Sequence, residues 1–323
     1  MPSMFTDLAD LAALRLGGAV VAASDEFFAP KESLLKSSAP EWREGVYTER
    51  GKWMDGWETR RRRTPGHDWA VVRLGIPGVV RGVVIDTSFF TGNFPEFASI
   101  DACAVTDGPA APADLPFRPL LPKAGLKGNR ANPFEISAKT ARVTHVRLNI
   151  FPDGGVARLR IHGDPLPDES VFRPGREVDL AALENGALVV SASDMHYGNP
   201  QHLLYPGRST HMGDGWETRR RRGPGHDWCI LRLARRGVIE RVELETDHYK
   251  GNAPGHAMLE YTDAPSFNVA KVRWRTLVSR SPLEPHARHR WETRKGAVAS
   301  HVRLNIYPDG GVSRLRLFGQ IAE

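Results

Sequence analysis

The chain is written twice. The fifteen residues from Asp55 to Trp69, DGWETRRRRTPGHDW, return 159 positions later, from Asp214 to Trp228, with one difference: Thr64 against Gly223. HVRLNIFPDGGVARLR from His145 returns from His301 at a spacing of 156, and ASDEFF around Asp25 is answered by ASDMHY around Asp194 at 169. Between these blocks, FFTGNFP from Phe89 is answered by HYKGNAP from His248. Block order is the same in both halves, and the spacing changes only through loop lengths. A period of about half of 323 residues is too long for a solenoid unit and long enough for each copy to bury its own core. The chain therefore reads as two homologous domains, 1–163 and 178–323, joined by the proline-rich, charged linker 164–177.

Each copy is written mainly in strands. WAVVRLG (Trp69 to Gly75) and VVRGVVIDT (Val79 to Thr87) are β-branched runs separated by IPG, and CILRLA with VIERVELET repeats them. HVRLNIF alternates apolar Val146, Leu148 and Ile150 with polar His145, Arg147 and Asn149, the period-two pattern of a half-buried strand. PDGG supplies a turn before the next strand. Helical pattern is confined to DLADLAALRL and DLAALENG. Short strands at regular spacing with Gly/Pro turns predict an all-β chain of two tandem jelly-roll β-sandwich domains, with a galactose-binding-like arrangement of blocks.

A net charge of +6 invites a nucleic-acid reading. Phosphate tracking needs cations spread along a face, whereas here Arg60 to Arg63 and Arg219 to Arg222 sit in compact blocks beside Glu58 and Asp68, or Glu217 and Asp227. Those acids would repel phosphate, so no nucleic-acid partner is expected. Cys103 and Cys229 do not occupy matching positions and form no CxxC pair, which points to buried thiols in a reducing compartment. The N-terminus lacks a basic region followed by an apolar run, and no stretch is apolar enough to span a membrane. The chain reads as cytoplasmic, with no membrane partner.

GKWMDGWETRRRRTPGHDWAVVRLG followed by GVVIDTSFFTGNFPEFASIDAC resembles the allantoicase (allantoate amidinohydrolase) family, as do ASDEFFAPKESLL and HVRLNIFPDGGVARLRIHG. The resemblance covers essentially the whole chain, duplication included. It implies hydrolysis of allantoate to ureidoglycolate and urea in purine and allantoin degradation, by two jelly-roll domains in a homo-oligomer. The rival reading is a non-catalytic jelly-roll module that holds a carbohydrate or small carboxylate. The copies differ in places: Glu26-Phe27-Phe28 against Met195-His196-Tyr197, Lys52 against His211, and Phe97 against His256.

Allantoate is a carboxylate whose central carbon bears two ureido groups. Its cleavage needs a cation for the carboxylate, an acid for departing urea, and a base for water or for a ureido N–H if elimination precedes hydration. In an extended segment alternate residues share a face, so Arg60 with Arg62 (or Arg61 with Arg63), and Arg219 with Arg221, are the anion ligands expected; salt bridges to Asp55, Glu58 and other acids are the competing use. His67 and His226 are the foremost acid/base candidates because imidazole titrates near neutrality, against a plain hydrogen-bonding role at a loop corner. Asp68 and Asp227 follow them, and Glu58 and Glu217 are alternative bases. Trp57 and Trp216 are core or pocket wall, and Asp55 and Asp214 acceptors for the DGW turn. His145 and Arg147, with His301 and Arg303, are candidate pocket residues on a polar strand face whose simpler explanation is exposure. Asp153 and Asp309 are turn residues. No cofactor is implied. A divalent metal stays open, although no HxH or HExxH spacing constrains one.

Overall fold

The β-branched run that opens at Asp68 does not stop at the IPG between its halves. In the computed structural model, which describes residues 5–105, 111–137, 141–264, 268, 271–293 and 296–322, it continues to Asp86 as one nineteen-residue strand. The twelve strands of the first copy are β1 (Ala9–Asp10), β2 (Ala19–Ala23), β3 (Tyr47–Thr48), β4 (Gly51–Lys52), β5 (Trp57–Glu58), β6 (Asp68–Asp86), β7 (Phe97–Cys103), β8 (Arg118–Gly125), β9 (Ala131–Glu135), β10 (Val143–Phe151), β11 (Gly155–Val156) and β12 (Arg158–Pro165). The first half of β6 lies between β2 and β10, with Arg147 opposite Val71. Its second half lies between β9 and β12, with Leu159 opposite Ile85. The order β2-β6-β10-β7-β8 makes one layer and β9-β6-β12-β1 the other, all antiparallel. The expected two strands are therefore one, bent from layer to layer at Ile76-Pro77-Gly78. The bend needs a close approach of backbones: a Cβ on Gly75 would stand 2.4 Å from the Leu16 carbonyl oxygen.

Period-two alternation then decides the core. Ala70, Val72, Ile85, Ile100, Val146, Leu148, Ile150, Leu159 and Ile161 are wholly buried. Removing each large aliphatic side chain from water contributes about 1.5–3 kcal/mol.

The second copy repeats this with β13 (Val178–Asp179), β14 (Leu188–Ala192), β15 (Trp216–Glu217), β16 (Asp227–Glu245), β17 (His256–Thr262), β18 (Arg275–Pro282), β19 (Arg288–Glu292), β20 (Val298–Tyr307), β21 (Gly311–Val312) and β22 (Arg314–Ile321). Its long strand β16 again joins β14 and β20 at one end and β19 and β22 at the other. The chain divides into two compact units, Met1–Leu166 and Pro167–Glu323. Of the linker expected from 164, Asp164 and Pro165 close β12 opposite Val79 and Gly78, and Glu169–Val171 forms a 3₁₀ turn capped by Asp168.

The expected helices are absent: no α-helix occurs among the described residues. DLADLAALRL holds the two-residue strand β1 and a 3₁₀ turn, Leu14–Leu16; DLAALENG holds the turn Leu183–Asn185. The aspartates explain this. Asp10 Oδ1 accepts the N–H groups of Ala12 and Ile161, and Asp179 Oδ1 those of Ala181 and Leu317, tying each segment to the neighbouring strand.

Candidate active site

The repeated acidic-arginine block begins on β5. Trp57 pairs with Val156 and Glu58 with Gly155 of β11. The Trp57 ring turns inward, wholly buried, and its indole N–H donates to the Asp25 carbonyl at 2.8 Å. Adjacent residues of a strand face opposite ways, so Glu58 turns outward. There its Oε1 accepts the Asn93 side-chain N–H at 2.6 Å. Burial pushes the Glu58 carboxyl above its ordinary pKa, and the Asn93 hydrogen bond opposes this in part.

Glu58 lines two adjoining recesses. The larger, about 510 Å³, is also lined by Arg61, Arg62, Asn93, Glu96 and Asp153. The smaller, about 230 Å³, shares Phe28, Glu58 and Asn93 with it and is closed by Trp42, Lys52 and Phe89. Arg62 is fixed from two sides: its backbone N–H donates to Asp153 Oδ2 at 2.8 Å and its Nη1 to Asp68 Oδ1 at 2.7 Å. Its Nε is buried and has no hydrogen-bond partner among the described residues. Gly66 leaves room for this side chain, since a Cβ there would stand 2.9 Å from Arg62 Nη2. Arg61 is exposed. A carboxylate in the larger recess would thus meet two guanidinium groups close to Glu58.

Several expected site residues stand elsewhere. The His67 ring packs on Phe151 at 4.7 Å between centroids and lines neither recess. His226 stacks on Tyr307 at 4.5 Å and shares a hydrogen bond with Asn305 Oδ1 at 3.1 Å. Asp68 is buried between Ser24 and Arg62, and Asp227 between Ser193 and Arg221. Both aspartates are corner struts. Arg60 pairs with Asp25 at 2.8 Å and lies against Phe27, away from Arg62. Arg219 donates its backbone N–H to Asp194 at 2.9 Å and meets His196. Trp57 and Trp216 have no exposed surface, so they are core rather than wall.

The polar strand face is not exposed as expected. His145 and His301 are buried beside Thr144 and Ser300. Burial, with the nearby Arg232 charge, lowers His301 to about 4. Arg147 and Asn149 both donate to Asp101, at 2.8 and 2.9 Å; Arg303 and Asn305 both donate to Glu260 at 2.9 Å. Their donors are taken up by these carboxylates, while Asn149 Oδ1 is buried with no hydrogen-bond partner among the described residues. Asp55 accepts a backbone N–H from outside the DGW turn, that of Glu41 at 3.0 Å, and it pairs with Arg158 at 2.6 Å and Lys36 at 2.7 Å. Those cations hold its carboxyl down at about 2 against the effect of burial. Asp214 and Arg314 form the same buried pair at 3.0 Å. Among the described residues, no three His, Cys, Asp or Glu side chains gather as a metal cage would require.

Asn93, Glu96 and Trp42 did not stand out in the sequence, and Lys52 did so only as a difference between the copies, against His211. For Asn93 a signal existed: the Gly-Asn of TGN recurs in KGN, and Asn252 donates to Glu217 at 2.6 Å just as Asn93 does to Glu58. Trp42 lies in a segment that is longer in the first copy, and Lys52, which answers His211, stands near its end. Nineteen residues, 36–54, separate the 3₁₀ turn Lys31–Leu35 from the DGW block; nine, 205–213, separate Pro200–Leu204 from its counterpart. The longer segment holds the ladder of β3 with β4, which presents Lys52.

The allantoicase-repeat family model matches residues 9–166 and 178–322. A protein of Burkholderia pseudomallei named probable allantoicase 2 is 52% identical over 321 residues, 97% of this chain and 95% of its own. A probable allantoicase of Nocardia farcinica is 51% identical over 326 residues, 99% of this chain and 96% of its own. The crystal structure of allantoicase from Saccharomyces cerevisiae superposes with a TM-score of 0.81 at 36% identity, covering 96% of this chain and 92% of that one.

Proposed function

The chain belongs to the allantoicase family, whose reaction is the hydrolysis of allantoate to ureidoglycolate and urea, and from that premise we propose that it performs this reaction at Glu58 of the first repeat. The carrying observation is the placement of a part-buried carboxyl, raised in proton affinity and aimed by Asn93, beside Arg61 and Arg62 in one recess. The guanidinium groups hold the substrate carboxylate. Glu58, as carboxylate, accepts the N–H proton of the ureido group that stays. The electron pair left on that nitrogen forms a C=N bond as the other C–N bond breaks, and Glu58 passes the proton to the departing nitrogen, giving urea. Water then adds to the C=N bond: its oxygen bonds to carbon and its proton returns through Glu58 to nitrogen. Burial strengthens Glu58 as a base, because the charged form is the one it disfavours.

In this reading His67 and Asp68 support the corner from which Arg62 projects. The buried thiols of Cys103 and Cys229 support a reducing compartment, which we take to be the cytoplasm. No helix among the described residues is long and apolar enough to cross a membrane. The family resemblance supports a homo-oligomer, which sedimentation of the intact chain tests. Urea release from allantoate by wild-type protein and by Glu58→Gln tests the site. The variant is expected to lose about 10²–10⁴-fold in turnover, and wild-type turnover in it would remove Glu58 from the chemistry.

A further inference from the structure

The smaller recess carries a second assignment, which rests on the placement of the reaction at Glu58. Its walls are built with care for so small a space. Phe89 takes a left-handed backbone conformation, φ 67°, uncommon for an aromatic residue. The Asn129 side chain holds it there by accepting the Phe89 N–H at 2.8 Å. Backbone strain of this kind persists only where the surroundings enforce it. The Phe89 ring stacks on Trp42, 6.0 Å between centroids at 27°, and the Lys52 ammonium stands 4.1 Å from the Trp42 ring centre. Trp42 and Lys52 both come from the segment that is ten residues longer in the first repeat. At the other repeat's corresponding position His248 is also left-handed, φ 72°, with its N–H held by His286, but the longer segment is missing.

Aromatic faces, one ammonium donor, and the Thr91 and Asn93 side chains suit a flat, neutral, doubly polar group. A ureido group is such a group: its planar amide stacks on an aromatic face, its carbonyl accepts from an ammonium, and its N–H groups donate to a hydroxyl or amide oxygen. We propose that this recess seats the ureido group that remains in the product, with Trp42 and Lys52 as its specificity-determining residues and Asn129 as a positioning residue.

The proposal has a stereochemical consequence. The central carbon of allantoate bears hydrogen, carboxylate and two identical ureido groups, so it is prochiral. Loss of urea leaves a planar C=N carbon, so the face to which water adds fixes the hand of ureidoglycolate. With the carboxylate held by Arg61 and Arg62 and the remaining ureido group seated in the recess, one face of the C=N bond is turned to Glu58, which lines both recesses, and water adds from that face. The recess is therefore the source of a single-handed product.

Enantiomeric excess of ureidoglycolate, read by circular dichroism early in turnover, tests this in the full chain. Trp42→Ala and Lys52→Met are expected to lower the excess to less than half of wild type and to raise KM about tenfold, with kcat changed far less. Asn129→Ala is expected to do the same more weakly, and Trp42→Phe to restore the wild-type product. Lys52 is exposed, so its variant reads even if Trp42→Ala does not fold. Wild-type excess and KM in Lys52→Met and in a folded Trp42→Ala would overturn the assignment. Glu58→Gln separates this failure from a failure of the site: a silent Glu58→Gln with wild-type product from the recess variants sinks the recess alone, whereas an active Glu58→Gln sinks both.

Discussion

At the scale of single residues, the chemistry of this chain depends on which acids are paired and which are not. Asp25, Asp55, Asp68 and Asp153 of the first repeat each hold a backbone N–H, an arginine or both, whereas Glu58 has an amide donor and two recesses. The pH dependence follows. Glu58 acts as carboxylate, and burial raises its pKa, so kcat/KM falls as pH drops through a value above the ordinary 4.3 or so of glutamate. A pH-rate profile should show this acidic limb, and a limb at or below the ordinary value would contradict the role. Asp55 has the opposite sign. Its folded pKa, about 2, lies below the unfolded value, so its stabilisation is present above about pH 4 and is lost as pH falls towards 2. Both partners of the Asp55–Arg158 pair are buried, and Arg158 also donates to the Ser38 and Asp55 carbonyls. Asp55→Asn leaves that guanidinium uncompensated and should lower unfolding stability by about 3–5 kcal/mol at neutral pH in denaturant titrations. A loss under about 1 kcal/mol would mean the pair is dispensable.

At the scale of elements, much was legible in the sequence because period-two alternation is a local signal. The strand around Val146, Leu148 and Ile150 and the PDGG turn after it stand where the pattern puts them. What was not legible depends on contacts distant in sequence. Nothing local to IPG says that Gly75 and Gly78 let one strand bend between two layers instead of ending. Nothing local to DLADLAALRL says that Asp10 will be tied to Ile161, 151 residues away. The same limit governs the site. Glu58 and the arginines were visible as a repeated block, but their separation into Arg61 and Arg62 at the recess and Arg60 on Asp25 required the fold. His67 was favoured for its intrinsic pKa, yet position decides use, and its ring lies against Phe151. The bend gives an element-scale prediction. Gly75→Ala places a carbon 2.4 Å from the Leu16 carbonyl and should cost about 1–3 kcal/mol, visible as a lower melting temperature; unchanged melting would show that the corner has slack.

At the scale of the whole molecule, duplication gave two copies of one frame, and the copies diverged around it. Buried tryptophans, corner arginine–aspartate pairs and cis prolines recur in both. So does the Glu–Asn hydrogen bond. The surroundings of that bond do not recur. Phe94 and Glu96, which line the larger recess, correspond to Ala253 and Gly255, and the segment bearing Trp42 and Lys52 is ten residues shorter in the second repeat. The frame is shared, and the residues that line the recesses at Glu58 are the ones that changed, so the proposal places the reaction in the first repeat. The most direct test is therefore a matched pair of variants, Glu58→Gln and Glu217→Gln, assayed for urea release from allantoate. The first should fall at least about 10²-fold in kcat/KM while the second stays within about twofold of wild type. Equal losses in the two, or a loss only in Glu217→Gln, would contradict the placement of the reaction in the first repeat.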